Sequence, residues 1–314
     1  GSYYLTEDEK SLITRVSTAF RKTVVVLNIG SIIDMSWEDE CLKGDSAILI
    51  PWQGGMESGN SLADVLLGVQ EPSGRLADTI AYSYGDYPCS KDFGEKEFNN
   101  YTEDIYVGYR YFETFAQDRV KYPFGFGLGY SQFNKSFVNA VAGEDAITFT
   151  LKAENISDFR GKDVLQLYVS QPQGELGKPA RALCGYAKSN ALNKGEAQEI
   201  EITVPLYYIA SYDDSGKSGH LNCYVLEKGD YDFYLGNNVR DCEKIYSFNV
   251  TETKVVAHHE QVCAPIESFS RITPKNENGN LVVGYESTPV SKENLKKIIL
   301  DNLHRLSLIH ISEP

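Results

Sequence analysis

The chain changes its hydrophobic period once along its length, and that change limits the fold more than any single motif. Through residue 90, helical and strand signals alternate. Thr6-Glu7-Asp8-Glu9 has the S/T-x-x-E form of a capping box, with Thr6 as N-cap and Glu9 reaching back. Leu12, Ile13, Val16 and Phe20 then fall on one helical face. Thr23-Val24-Val25-Val26-Leu27-Asn28 is a β-branched run expected for a strand buried on both faces of a parallel sheet, and Gly30 ends it. Ala47 to Trp52 reads as a second buried strand, and a Gly54-Gly55 turn leads into a helix from Ser58 to Leu67. Alternating helices and strands with short connections predict an α/β layer domain with a mostly parallel sheet.

From Ala146 the period becomes two. Ile147, Phe149, Leu151 and Ala153 alternate with polar residues, and strands follow at 163–170, 198–204, 208–213, 223–226, 231–235 and 244–250. Turn signals separate them, among them Asn193-Lys194-Gly195 and Lys228-Gly229-Asp230. Seven short strands in succession predict an all-β sandwich of immunoglobulin or fibronectin-III type. Between the two textures, Tyr82 to Gln132 is rich in Tyr, Phe and Gly and has no long periodic element. It is too apolar for a free linker and is expected to pack along a domain seam. After Thr251 the chain turns polar, and Ser291–Leu306 alone reads as a helix.

Composition narrows the function. A formal charge of −14 over 314 residues argues against nucleic-acid partners and polyanionic substrates, and leaves neutral or cationic ligands open. No apolar run reaches the length needed to span a bilayer. The 6 cysteines lack C-x-x-C pairs and His partners at metal-ligand spacing, so they read as reduced structural thiols, which favours a cytoplasmic compartment and leaves secretion open. His258–His259 sits in a polar connector and reads as a solvated pair.

The motifs point to a family. Trp52-Gln53-Gly54-Gly55-Met56-Glu57-Ser58-Gly59 continues through Ala63-Asp64-Val65-Leu66 to Gly68, and Pro72-Ser73-Gly74-Arg75-Leu76 follows. Further on come Tyr106 to Phe112 (YVGYRYF), Pro123 to Tyr130 (PFGFGLGY) and Gly161 to Val169 (GKDVLQLYV), with Lys178-Pro179 and Leu183 to Tyr186 as a looser piece. In order and spacing these resemble glycoside hydrolase family 3, the β-glucosidase family, with Gly129 where the family usually has Ser. The resemblance implies residues 1–132 as the family's α/β sandwich domain lacking its N-terminal part, and 133–250 as a fibronectin type III-like domain. It further implies 251–306 as a linker toward a barrel domain, as in members of inverted domain order. Residues 307–314 read as a non-native tail, and the gene as truncated at both ends.

The implied chemistry is retaining hydrolysis of terminal β-linked sugars without a cofactor, the substrate being a neutral β-glucoside or related glycan bound through the barrel. Retaining glycosidases need two carboxyl groups about 5–5.5 Å apart. The resemblance puts both, an Asp nucleophile and a Glu acid/base, outside this sequence, so the chain alone is expected to be inactive. Substrate contact is assigned to Trp52 and Glu57. Each also has a plainer reading, Trp52 as a core tryptophan and Glu57 as a helix-start carboxylate favoured by the dipole. The acidic pairs Glu103-Asp104 and Asp213-Asp214 read as solvated turns. A non-catalytic carbohydrate- or protein-binding module is the alternative. A self-sufficient α/β hydrolase is disfavoured, because no G-x-S-x-G is present.

Overall fold

The structure, a computed structural model, describes residues 2–94, 97, 99–261, 265 and 267–290. Helix α1 (Glu7–Ala19) opens with the predicted capping box: the Thr6 amide donates to the Glu9 carboxylate at 2.7 Å, and the Glu9 amide donates back to the Thr6 hydroxyl at 3.3 Å. Strand β1 (Lys22–Val26), α2 (Trp37–Cys41), β2 (Asp45–Leu49) and α3 (Ser58–Leu66) follow, with β1 and β2 parallel and in register from Lys22–Asp45 to Val26–Leu49.

This layer is covered on one side only. Val25, Leu27 and Ile48 join a core with Ile33, Met35 and the fully buried Trp37. On the other face Val24 and its register partner Ala47 are exposed, so the expected burial on both faces is not found. The same holds for α1, where Leu12 and Phe20 are exposed and Ile13 alone of the predicted stripe packs inward. The residue α1 buries most completely is Ser17, whose hydroxyl donates to the Cys41 carbonyl at 3.0 Å and accepts from the Lys43 amide at 3.2 Å.

The aromatic segment carries β3 (Ile80–Ala81), α4 (Tyr109–Phe115) and β4 (Val120–Tyr122), β3 and β4 being antiparallel. The β-sandwich then runs through β5 (Phe133–Ala142), β6 (Ala146–Asn155), β7 (Val164–Ser170), β8 (Ala182–Lys188), β9 (Ala197–Pro205), β10 (Ser211–Asp213), β11 (Cys223–Leu226), β12 (Gly229–Gly236) and β13 (Cys242–Val250). One sheet has the order β13-β12-β7-β8 and the facing one β5-β6-β9. Phe149, Leu151, Leu167, Val204 and Phe233 meet between them with no exposed surface. Each such side chain contributes about 1.5–3 kcal/mol of burial.

Beyond Thr251 the chain is not a plain polar linker. Strand β14 (Lys254–His258) adds to β11 in the sheet β10-β11-β14, so sandwich structure runs past residue 250. Strands β15 (Ser270–Glu277) and β16 (Asn280–Ser287) form a hairpin around Asn278-Gly279, both at positive φ. The hairpin is fastened by Arg271, which bonds Asp214 at 2.5 Å, Glu286 at 2.9 Å and Asp104 at 3.3 Å. The predicted helix at Ser291–Leu306, Cys263 and the tail 307–314 lie outside the described residues.

Candidate ligand crevice and the domain seam

Parallel sheets present ligand crevices outside the carboxyl ends of their strands. Here the segment after β1 and the loop after β2 converge: a Cβ on Gly30 would stand 3.0 Å from Gln53 Nε2. The chain leaves β2 through Trp52, whose φ of 54° puts a bulky residue in the left-handed region, at a cost of about 1–2 kcal/mol. Gly54 then lets the loop fold onto the first turn of α3, since a Cβ there would lie 2.8 Å from Ser58 Cβ.

Glu57 occupies the N-cap position of α3 without capping it; its carboxylate is exposed and accepts from Asn60 Nδ2 at 2.7 Å. Trp52 is half-buried, so it is not the core tryptophan; that is Trp37. Both predicted residues therefore stand on the same loop, at the strand end where a ligand would sit. Sequence reasoning missed one neighbour and one buried carboxylate. Gln53 lies against Gly30, and Asp34, buried in the segment after β1, accepts from the Ser36 hydroxyl at 2.6 Å. The D-x-S spacing of an Asx turn was the available signal for Asp34.

The other acidic and thiol groups have structural work. Asp213 is fully buried and accepts from the amides of Ser215, Gly216 and Ser218 at 2.7–3.0 Å, correcting its reading as a solvated turn residue. Burial raises its carboxyl, but the hydrogen bonds from Ser218 and Ser215 outweigh that and hold it below the usual range. Asp104 shifts the opposite way, because burial prevails over the Arg271 guanidinium. His258 and His259 are both exposed, as expected of a solvated pair, and each has a neighbour on the surface. Nδ1 of His258 lies 3.2 Å from Cys223 Sγ, and the His259 ring packs edge-on to Tyr224. Cys41, Cys89, Cys184, Cys223 and Cys242 are free thiols.

The remaining motifs meet at the seam that holds the crevice layer on the sandwich. Arg75 donates to Asp163 at 2.6 Å, and Asp163 also takes Lys135 at 2.9 Å. The Glu71 carboxylate accepts from the amides of Ser131 and Lys162 at 2.6 and 2.8 Å. Gly125 donates its amide to Leu76, and its carbonyl accepts from Gln166 Nε2 at 3.0 Å. At φ +83°, with a Cβ only 2.1 Å from Gln166 Oε1, that position admits glycine alone. The Tyr109 ring stacks on Phe124 at 4.4 Å, and its hydroxyl accepts from the Leu183 amide at 2.9 Å. The aromatic segment is thus a seam, as its composition predicted.

Chemically, the crevice loop offers one carboxylate, Glu57, one side-chain amide, Gln53, and the aromatic face of Trp52. That set can bind and orient a hydroxylated ligand, but a single carboxylate falls short of the pair that glycoside hydrolysis requires.

Residues 1–130 match the glycosyl hydrolase family 3 C-terminal domain, and residues 163–239 match the fibronectin type III-like domain. The chain is 44% identical to a β-glucosidase of Ruminococcus albus across 93% of its own length and 30% of that protein. It superposes with a TM-score of 0.86 on the crystal structure of a β-glucosidase from Paenibacillus barengoltzii, at 40% identity, covering 98% of this chain and 34% of the other. A TM-score of 0.71 at 36% identity relates it to β-glucosidase 3B from Thermotoga neapolitana in complex with glucose, over 81% of this chain and 35% of that one. The chain spans about a third of the length of these relatives. Two adjoining domain matches, over a fold of the same order, place this chain in glycosyl hydrolase family 3.

Proposed function

We propose that the chain is the scaffold portion of a retaining β-glucosidase-type hydrolase acting on terminal β-linked sugars in carbohydrate breakdown, and that by itself it does not hydrolyse glycosides. The observation that carries this reading is the crevice loop, residues 51–57. It stands at the carboxyl end of β2, presents the half-buried Trp52 and the exposed Glu57, and holds no second carboxyl group. Such a loop suits contact with a neutral sugar whose reacting bond is served by groups on another domain. A barrel carrying the nucleophile is the partner that the family resemblance supplies.

The test compares the chain alone with the chain joined to the rest of its parent gene, using an aryl β-glucoside. The expected result is no turnover for the first and hydrolysis with retained anomeric configuration for the second. Turnover by the chain alone, or an inactive complete protein, would overturn the reading. In the complete enzyme, Trp52→Ala is expected to raise KM more than it lowers kcat, as loss of a binding contact does.

A further inference from the structure

A second surface of the molecule, remote in sequence from the crevice loop, has the makings of a ligand site. Strands β8 and β9 are the edge strands of the two facing sheets, and their outer edges lie side by side. Gly185 brings them close, since a Cβ there would stand 2.5 Å from Ile202 Cγ2. The result is a groove of about 400 Å³ floored by Gly185 and Ile202, with Glu201 and Thr203 along one side. Its volume falls in the usual range of small-molecule sites, about 300–1,000 Å³.

Two tyrosines stand on its rim, Tyr186 at 69% exposure and Tyr208 at 70%. Side by side at one depression, the two open rings make a surface that a ligand can cover. Tyr208 also adjoins a cluster of rings. Its centroid is 6.4 Å from that of Tyr207, and Tyr207 lies 4.5 Å from Tyr224 and 6.3 Å from His259, while Tyr224 lies 5.2 Å from both Tyr212 and His259.

We infer that this groove and the ring cluster beside it form a binding platform for a neutral β-glucan chain, separate from the crevice loop. Three features select that ligand. Tyrosine offers an apolar face with a polar tip, which matches a sugar ring carrying C–H groups on its faces and hydroxyls at its edges. Glu201, Thr203 and the open backbone groups of edge strands supply hydrogen-bond partners for those hydroxyls. A formal charge of −14 repels acidic polysaccharides, so the glycan is neutral. The β-linkage rests on the glycosidase reading given above, and two exposed rings with a ring cluster beside them offer more contact surface than one monosaccharide covers. The platform would hold a polymer on the sandwich while its end is processed elsewhere.

The experiment is calorimetric titration of the 314-residue chain with cellotetraose and laminaritetraose, with maltotetraose and tetragalacturonate as controls. The expected result is saturable binding of at least one β-linked tetramer and none of the acidic one. Tyr208→Ala should weaken it at least about tenfold, equivalent to ~1.4 kcal/mol. Tyr208→Phe should retain binding, because the ring face remains, and so should Tyr101→Ala, an equally exposed tyrosine elsewhere. Unchanged thermal unfolding of the variants excludes a folding defect.

Absence of binding to any β-linked tetramer overturns the inference. So does equal loss with Tyr208→Phe, loss with Trp52→Ala in place of Tyr208→Ala, or a self-association that Tyr208→Ala abolishes. Binding by the chain with no hydrolysis by the complete protein would sink the proposed activity and leave the platform standing. Hydrolysis without such binding would do the reverse.

Discussion

Replacing Asp163 by Asn removes the charge at the centre of the seam while keeping its volume. The Asp163 side chain is 5% exposed and faces Arg75 and Lys135, at 15% and 7%. Taking one partner from a buried ion pair costs about 3–5 kcal/mol, because the other charge is left uncompensated. Lys135 keeps three other acceptors, the carbonyls of Val164 and Gly236 and the side chain of Asn237, which favours the lower half of that range. Arg75 keeps only the Gly74 carbonyl, at 3.2 Å. The expected loss is therefore about 3 kcal/mol, or a fall in Tm of roughly 6–12 °C at 2–4 °C per kcal/mol.

Calorimetry of the isolated chain should show the Asp163→Asn transition broadening or splitting as the two layers lose their common anchor. A pH signature accompanies it. Burial already lowers the Lys135 ammonium, with Asp163 opposing the shift, so the variant lowers it further. The unfolded chain then binds more protons than the folded one between the folded pKa and the ordinary lysine value of about 10.4. Variant stability must rise with pH through that window more steeply than that of the parent. Adding Lys135→Met should restore part of the loss. A single variant within about 1 kcal/mol of the parent, or no recovery on adding Lys135→Met, would refute the reasoning.

Two further perturbations test other parts of the fold. Gly125→Ala combines a positive φ with a collision against Gln166 and should cost about 1–3 kcal/mol in urea unfolding; an unchanged midpoint would show that the seam can yield. Asp213 has a lowered folded pKa, so its contribution is complete above the unfolded carboxylate value of about 3.9 and is lost as pH falls through the folded value. Asp213→Asn should therefore flatten the acid limb of the stability curve below about pH 4, and an identical acid limb would contradict the assignment.

The strands that were legible in advance are those with one clean face. Strands β6 and β11 begin and end where their alternation predicts, since each buries every second residue or nearly so. Strands β5 and β8 were not foreseen, and both are edge strands with a register shift, near Val138 and near Cys184. A bulge adds one residue, moves the pattern to the other face and destroys the period that a reader counts. The β15–β16 hairpin was misread differently. Its Asn278-Gly279 turn is a strong hairpin signal, but the β15 side, SRITPKNE, is too polar to register as a strand. What holds it is Arg271, through Glu286 opposite it in the hairpin and two carboxylates distant in sequence, Asp104 and Asp214.

The crevice loop divides similarly. Trp52 and Glu57 could be placed at a strand end from sequence, because a buried strand followed by glycines and a helix start fixes that location. Exposure of the Trp52 ring could not, and neither could the contact between Gly30 and Gln53.

The sequence by itself determined the order of the two folds, the family motifs and the turn between β2 and α3, because periodicity and glycine placement act through local backbone geometry. Tertiary structure alone decided that the Pro72–Leu76 and Gly161–Val169 motifs clasp each other through Arg75 and Asp163. It also decided that Asp104, Asp214 and Glu286 share one guanidinium, and that Tyr186 and Tyr208 rim one groove. Those pairings join residues far apart along the chain, and their energy exists only once the intervening backbone has been folded to bring them into contact.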